Sequence, residues 1–353
     1  MRQIEVDLNA IRSNYAALRA AFAPAKVMAV VKANAYGHGM IEVARALDGN
    51  VDALGVADLT EAMALRDAGI KARVMAWIIG PEDDLQAAVA NNIELGVSTF
   101  DQLHQLPAAA LFHIKIDTGL GRNGFSRLDF EQLFTRLQGT NPVGIFSHLS
   151  NTSISDDLKQ KKLFEDAISM AASKGVEFRE RHLAASAGAL SYEDLRYEMV
   201  RCGIAVYGLN PFEDRDVDGI ELQPAMRVLS QLVNTKRVPA GQGVSYGYRY
   251  VTERETNLGL VPFGYAEGMP RISVNHEVLI GGKLYPVVGR VAMDQFVVDL
   301  GSSAPAIGTE VVIFGNPQRG EPSAEALGES AGTINYEIVT RIGGRANRSY
   351  LGR

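Results

Sequence analysis

A chain of 353 residues, 46% hydrophobic and 22% charged, is long for one hydrophobic core. It reads as two globular domains rather than as a disordered, collagen-like or coiled-coil protein. Its net charge of −6 supplies no general attraction for nucleic acid or anionic lipid, and a single cysteine, Cys202, excludes an internal disulfide and any cysteine-rich metal centre.

The opening residues MRQIEVDLNAIRSN are charged where a secretory signal needs an apolar run. No stretch approaches the ~20 apolar residues of a membrane span, so a cytoplasmic location with no membrane partner is expected. Within that opening, QIEV is strand-like, and residues 1–7 are candidates for packing with the second domain. Asp7 is an acceptable cap for a helix over 8–18. Strand candidates then follow at KVMAVVK (26–32), ALGVA (53–57), RVMAWII (73–79), ELGV (94–97), FHIKI (112–116), PVGIFSH (142–148), EFRERHL (177–183) and YEMVRCG (197–203). Helical patterns over 39–47, 59–68, 82–91, 99–106, 129–138, 157–174 and 187–195 separate most of them. Asp58 with Glu61, and Ser98 with Asp101, resemble caps at helix starts.

This alternation, with roughly 25–30 residues per unit, predicts an α/β chain whose residues 8–225 close into a (β/α)8 TIM-like barrel. An open doubly wound sheet is the competing fold. It often carries a GxGxxG turn after its first strand, and VKANAYGHG lacks that pattern. Residues 226–353 change rhythm, becoming β-rich with frequent Gly and Pro. They predict a mainly antiparallel β domain, with a hairpin at IGGKL and one short helix near the end.

In a barrel, chemistry collects at the C-terminal strand ends. Lys32 closes the first strand inside an apolar run. It is either a lysine reaching out to water or a desolvated amine suited to a covalent bond with a carbonyl. Tyr36 follows in a Gly-flanked loop. In HIKIDTGLGRNGF, Lys115 and Asp117 share one strand face and Arg122 follows; the two cations together need an anion, unless a buried ion pair merely fixes the loop. His148, Ser186 and Arg201 lie at or after the last three strands. There a hydroxyl and the backbone N–H groups after Arg201 make a plausible phosphate cradle. Cys202 has no convincing base partner in sequence and reads as core.

The run VVKANAYGHG closely resembles the cofactor-lysine motif of bacterial alanine racemases. The resemblance continues through IKIDTGLGRNGF, HLAASAG, VRCGIAVYGL, GVSYGYRY, VPFGYAEGMPR, VGRVAMDQFVVDLG and TINYEI. It implies a barrel followed by a β domain, pyridoxal 5'-phosphate as cofactor, and a homodimer whose sites are completed across the interface. It assigns Lys32 the covalent link to the cofactor and one catalytic base. Tyr246, from the second subunit, becomes the other. Tyr36, Ser186, Tyr336 and the backbone at Gly203 and Ile204 match phosphate ligands; Arg201 matches the arginine facing the pyridine nitrogen, with His148 its companion. Arg122 and the backbone at Met293 match groups near the substrate carboxylate, Tyr265 a tyrosine narrowing the passage, and Lys115 a lysine often carbamylated. A carbamate would supply the missing anion.

The implied reaction is interconversion of L- and D-alanine, supplying D-alanine for peptidoglycan; the alternative is a broader racemase acting also on serine or lysine. A decarboxylase of similar shape would place an acid where Arg201 stands, and a non-enzymatic cofactor-binding barrel usually lacks the second domain. Three departures from the family pattern stand out: Ala185 for a common asparagine, Ser153 for a common acid near the entrance, and GGRANR near the C-terminus.

Overall fold

The computed structural model describes residues 1–272 and 276–353. The chain opens with β1 (Gln3–Asp7), which belongs to the C-terminal sheet, not to the barrel. Asp7 then caps the helix Leu8–Phe22, its carboxylate accepting from the N–H groups of Asn9 and Ala10. Eight parallel strands follow: β2 (Lys26–Val30), β3 (Ala53–Asp58), β4 (Val74–Ile78), β5 (Ile93–Val97), β6 (Phe112–Lys115), β7 (Gly144–Phe146), β8 (Glu180–His182) and β9 (Met199–Cys202). Their order is β8-β7-β6-β5-β4-β3-β2-β9, and the remaining gap is narrowed by a parallel bridge between Ala185 and Arg201. This is the barrel that the alternating pattern predicts.

Several elements are shorter than their apolar runs suggest. β2 stops at Val30, so Lys32 does not close the strand; it opens the turn beyond it. The helix predicted from Ser98 and Asp101 is capped one residue later, by Thr99, whose hydroxyl accepts from Gln102 N–H. Ser98 instead gives both its N–H and its hydroxyl to the Gln102 side chain.

Inward-facing residues explain how the barrel fills. Met28, Ala53, Met75, Phe146 and Met199 form an apolar layer with Trp77 packed on it. Trp77 is accommodated by two glycines: a Cβ at Gly55 would lie 2.6 Å from its ring, and one at Gly96 2.8 Å from its backbone. The N-terminal end is closed by ions, with Arg73 bonded to Glu94 at 2.8 Å and to Glu180 at 2.9 Å, and Lys26 to Glu180 at 2.6 Å. The opposite mouth is thereby left for chemistry.

The C-terminal sheet is built from β10 (Met226–Gln231), β11 (Asn234–Val238), β14 (Thr256–Val261), β15 (Glu277–Ile280), β16 (Lys283–Val288), β17 (Phe296–Gly301), β18 (Glu310–Phe314) and β19 (Asn347–Leu351), with β1 between β10 and β19. A separate ribbon, β12 (Gly243–Val244) with β13 (Tyr250–Val251), carries the Tyr246 turn between its strands. Gly281 and Gly282, with φ of 58° and 81°, make the predicted two-residue hairpin between β15 and β16. Where one terminal helix is expected there are two, Ala324–Ala331 and Asn335–Arg341, separated at a left-handed Gly332.

The Trp77 packing makes a stability prediction. Gly55→Ala adds a methyl 2.6 Å from the indole and 2.8 Å from Met28 Sδ. It should lower stability by about 1–3 kcal/mol, read as a lower midpoint in urea unfolding; an unchanged midpoint would contradict this packing.

Candidate active site

The site begins with a backbone oddity immediately after Lys32. Ala33, Asn34, Ala35 and Tyr36 all have positive φ, at 52°, 55°, 54° and 51°, forming a left-handed turn without a glycine. Each such residue costs about 1–2 kcal/mol, so the surroundings must hold the turn. Glu61 does so from the next βα unit, accepting from Ala33 N–H at 2.7 Å and Ala57 N–H at 2.8 Å. Asn34 accepts from Met40 N–H at 2.9 Å, and buried His38 uses Nδ1 to donate to the carbonyls of Ala35 and Tyr36 at 3.0 Å. Burial lowers His38 to about 4, which keeps it neutral in this role. The turn fixes Lys32 and Tyr36 over the barrel mouth.

Around that mouth a cavity of about 1020 Å³ is lined by Lys32, Tyr36, Lys115, Arg122, His148, Ser186, Arg201, Gly203, Ile204 and Tyr336. The sequence-predicted residues of the barrel, with Tyr336 from the terminal helix, therefore converge. On one side, Ser186 Oγ accepts from Gly203 N–H at 3.1 Å. Tyr36 approaches Gly203 so closely that a Cβ there would lie 2.3 Å from its hydroxyl. The rings of Tyr36 and Tyr336 lie 6.1 Å apart. Serine, two phenols and the backbone after Arg201 thus form a cradle of donors.

Lys32, Lys115, Arg122 and Arg201 also line the cavity, whose lining includes Asp157, Glu213, Asp214 and Glu337 as well. Burial, then Arg122 and Arg201, lower the Lys32 amine below its ordinary value. Burial, then Arg201 and Arg122, bring Lys115 to about 8. The buried Arg201 is lowered to about 10, chiefly by desolvation, which leaves it charged at neutral pH. It donates to the carbonyls of Ser147, His182 and Leu183 and to Nδ1 of His148 and His182, all neutral acceptors. His148 is driven down to about 3 by burial and these cations, so it is neutral. Asp117 does not pair with Lys115; its carboxylate accepts from Gly119 and Gly121 N–H and shapes the glycine loop. Such a set of cations calls for an anionic ligand.

Tyr246, Tyr265 and Met293 do not line this cavity. They lie in the C-terminal domain, exposed by 69%, 38% and 54%. Their loops are joined: Tyr265 N–H donates to Ala292, Ala266 N–H to Met293, and Ser245 Oγ to the Arg290 carbonyl. The departures from the family pattern acquire local roles. Ser153 caps the helix Ile154–Ser173, Ala185 forms the barrel-closing bridge, and Arg345 pairs with Glu267 and Asp294. Cys202 is buried and free, its thiol raised to about 12 by burial.

Sequence reasoning assigned no role to Trp77 beside Lys32 Nζ (5.9 Å to the ring centroid), to Glu61 as the anchor of the turn, or to His182 behind Arg201. Glu61 carried a partial signal as a helix-start acid; the other two gave none beyond lying in strands.

Two family models match the chain: the alanine racemase N-terminal domain over residues 6–211 and the alanine racemase C-terminal domain over residues 225–350. The alanine racemase of Thermobifida fusca is 42% identical over 368 residues, which cover 99% of this chain and 98% of that protein. The crystal structure of alanine racemase from the D-cycloserine-producing Streptomyces lavendulae superposes with a TM-score of 0.95 at 42% identity, covering 100% of this chain and 97% of that one. The Bacillus anthracis alanine racemase structure with bound L-Ala-P gives a TM-score of 0.90 at 34% identity, with coverage of 99% and 95%.

The left-handed turn is testable through its anchor. Glu61→Ala removes the acceptor of two backbone N–H groups. Charge-assisted bonds of this kind contribute about 1.5–3 kcal/mol, so amide hydrogen exchange at Ala33 and Ala57 should accelerate at least about tenfold. Unchanged protection would show that the turn holds without Glu61.

Proposed function

The chain belongs to the alanine racemase family and is by that membership an isomerase; on this premise we propose that it interconverts L- and D-alanine with pyridoxal 5'-phosphate, at sites built jointly by two copies of the chain. The single observation that carries the reading is the barrel mouth: a desolvated Lys32 amine beside a donor cradle, ringed by Lys115, Arg122 and Arg201. A phosphorylated cofactor and a carboxylate substrate would bring anions to Lys32, Lys115, Arg122 and Arg201, so the residues present fit the group. Ser186, Tyr36, Tyr336 and the backbone at Gly203 and Ile204 would hold its phosphate. Lys32 would hold it covalently, and Arg201 would face its ring nitrogen.

When bound, pyridoxal phosphate supplies an electron sink that acidifies the substrate's α-hydrogen. The protein supplies the proton transfers, and inversion needs one group on each face. Lys32, whose lowered pKa favours the free amine, serves the face that handles D-alanine. Tyr246 of a second copy serves the L-alanine face; its exposure on its own chain leaves it available to another. Arg201 holds its proton at neutral pH and would face the ring nitrogen as a donor only, which would disfavour protonation of that nitrogen and the side reactions a stronger sink allows. Arg122 and the Met293 backbone hold the substrate carboxylate, and Tyr265 narrows the passage to small amino acids. A cytoplasmic role in providing D-alanine for peptidoglycan completes the reading.

Lys32→Ala and Tyr246→Phe are each expected to lower racemisation by about 10²–10⁴-fold. Mixing them under verified subunit exchange should restore activity, because one mixed site holds both native groups; no recovery would refute the shared site. Solvent deuterium exchange separates the faces: Tyr246→Phe should still exchange D-alanine while exchanging L-alanine poorly, and the opposite pattern would reverse the assignment.

Lys115 provides a pH test. Its amine, at about 8, is increasingly neutral as pH rises through that value, and only the neutral amine adds carbon dioxide. A carbamate on Lys115 should form more fully above about pH 8 and fade below it. Isotope-labelled bicarbonate should give a carbamate NMR signal that Lys115→Arg abolishes; no signal in the wild type at high pH would exclude the modification.

A further inference from the structure

Buried His113 and His182, both fully inaccessible, belong to no part of the mechanism above, yet they connect its arginine to the far end of the barrel. Arg201 NH1 meets His182 Nδ1 at 3.2 Å, His182 Nε2 meets His113 Nδ1 at 3.1 Å, and His113 Nε2 meets Glu94 at 2.9 Å. Glu94 is held in turn by Arg73 in the ionic layer that closes the N-terminal mouth. His182 is stacked 4.9 Å from Phe146, a member of the apolar methionine layer.

The two ends determine the protons in between. A guanidinium only donates, so His182 Nδ1 must accept, and a neutral His182 must carry its hydrogen on Nε2. That hydrogen requires His113 Nδ1 to accept, which leaves the His113 hydrogen on Nε2, pointing at Glu94. At the other end Glu94 is ionised: against a desolvation that would raise it, bonds from His113 and Arg73 hold it near 2, so it only accepts. Both ends therefore impose the same polarity. Each imidazole turns its negative, lone-pair side toward Arg201. Among the described residues no carboxylate pairs directly with this buried guanidinium, so the relay links it to one. The geometry also depends on Gly144, where a Cβ would lie 2.6 Å from His113 Nδ1.

We propose that Glu94, His113 and His182 are positioning residues of the racemase site: a hydrogen-bond relay of fixed polarity that anchors the Arg201 guanidinium from the opposite end of the barrel. The proposal rests on the reading that Arg201 faces the cofactor, but the relay itself exists independently of bound ligand. It explains how a cation can be held in place with only neutral groups in contact, leaving its outward edge directed at the cavity. Buried networks of this kind are most informative when broken at one member.

The test uses the full chain with isotope-labelled histidine. NMR of the imidazole nitrogens should show His113 and His182 as neutral rings protonated on Nε2, before any cofactor is added. Either ring protonated on Nδ1, or present as a cation, would overturn the relay, and this measurement needs no variant. His113→Leu should lower thermal stability, because it leaves the His182 Nε2–H and a Glu94 oxygen without their buried partner, so kinetics are read well below its unfolding midpoint. There it should lower kcat about tenfold with little change in KM, a coupling typical of residues that act through a network. His113→Gln, whose amide can accept from His182 and donate to Glu94, should recover most of the loss. Full kcat in His113→Leu would show that the relay does not position Arg201. A wild-type chain with the expected tautomers but no racemase activity would refute the functional reading and leave the relay standing.

Discussion

Positive charge gathered at one mouth of the barrel, with no carboxylate among the described residues paired to Arg201, is the constraint to which the other features answer. Burial, with Arg122 and Arg201 close by, lowers the basicity of Lys32 and Lys115, and burial with Arg122 close by lowers that of Arg201. Burial alone would make such a grouping costly. The fold distributes the cost in three ways. Arg201 is satisfied by carbonyls and imidazoles, which remove its donors without neutralising it. Lys32 and Lys115 are shifted toward free amines, which lowers the charge itself. The remaining charge faces a large cavity where anionic groups can bind. The same electrostatics that weigh against the unliganded protein therefore favour its liganded form.

Strain is concentrated beside that charge, and both are held by material far away in sequence. The left-handed turn after Lys32 is fixed by Glu61 from the following unit, and by His38 stacked 4.4 Å from Tyr207. Tyr207 donates to the Val30 carbonyl at 2.8 Å, at the end of the strand that delivers Lys32. At the opposite mouth, Arg73, Glu94, Glu180 and Lys26 close the barrel with opposed charges. One end of the barrel is thus electrostatically balanced and closed, the other unbalanced and open. Such an asymmetry suits a scaffold in which one face carries stability and the other carries reaction.

Much of this was legible in the chain, for identifiable reasons. Alternation of apolar runs and helical patterns specified the barrel because each strand buries both faces and each helix one stripe. Caps at Asp7 and Asp58 acted as expected, since their carboxylates accept backbone N–H groups where the chain enters a helix. The cavity residues lay at strand ends, where the fold type places function. What could not be read was set by tertiary contact. The left-handed turn contains no glycine, so its backbone gave no local sign. Thr99 and Ser98 compete as caps with similar chemistry, and only the strand's end decides between them. The last region showed one short helical candidate where the structure has two helices, parted at Gly332, whose left-handed conformation the pattern does not reveal. His182 and Glu94 are ordinary polar residues in strands until the barrel closes and points them inward.

The exposed side of the molecule completes the logic. Tyr246, Tyr248, Val251, Tyr265 and Met293 leave large apolar surface in water around the loops of the C-terminal domain. Yet these loops are not loose. Ser245, itself at a positive φ of 59°, is fixed to Arg290, the Tyr265 turn is bonded to Ala292 and Met293, and buried Glu267 receives Arg345 from the chain's end. Rigid display of apolar and aromatic groups is what a preformed interface requires, because side chains already ordered lose little entropy on association. On the proposed reading, a barrel that holds one proton-transfer group, joined to a domain that presents a tyrosine outward on a fixed turn, would be chemically incomplete alone. Two such chains related by a twofold axis would each supply what the other lacks, and that symmetry would create both sites in one association step.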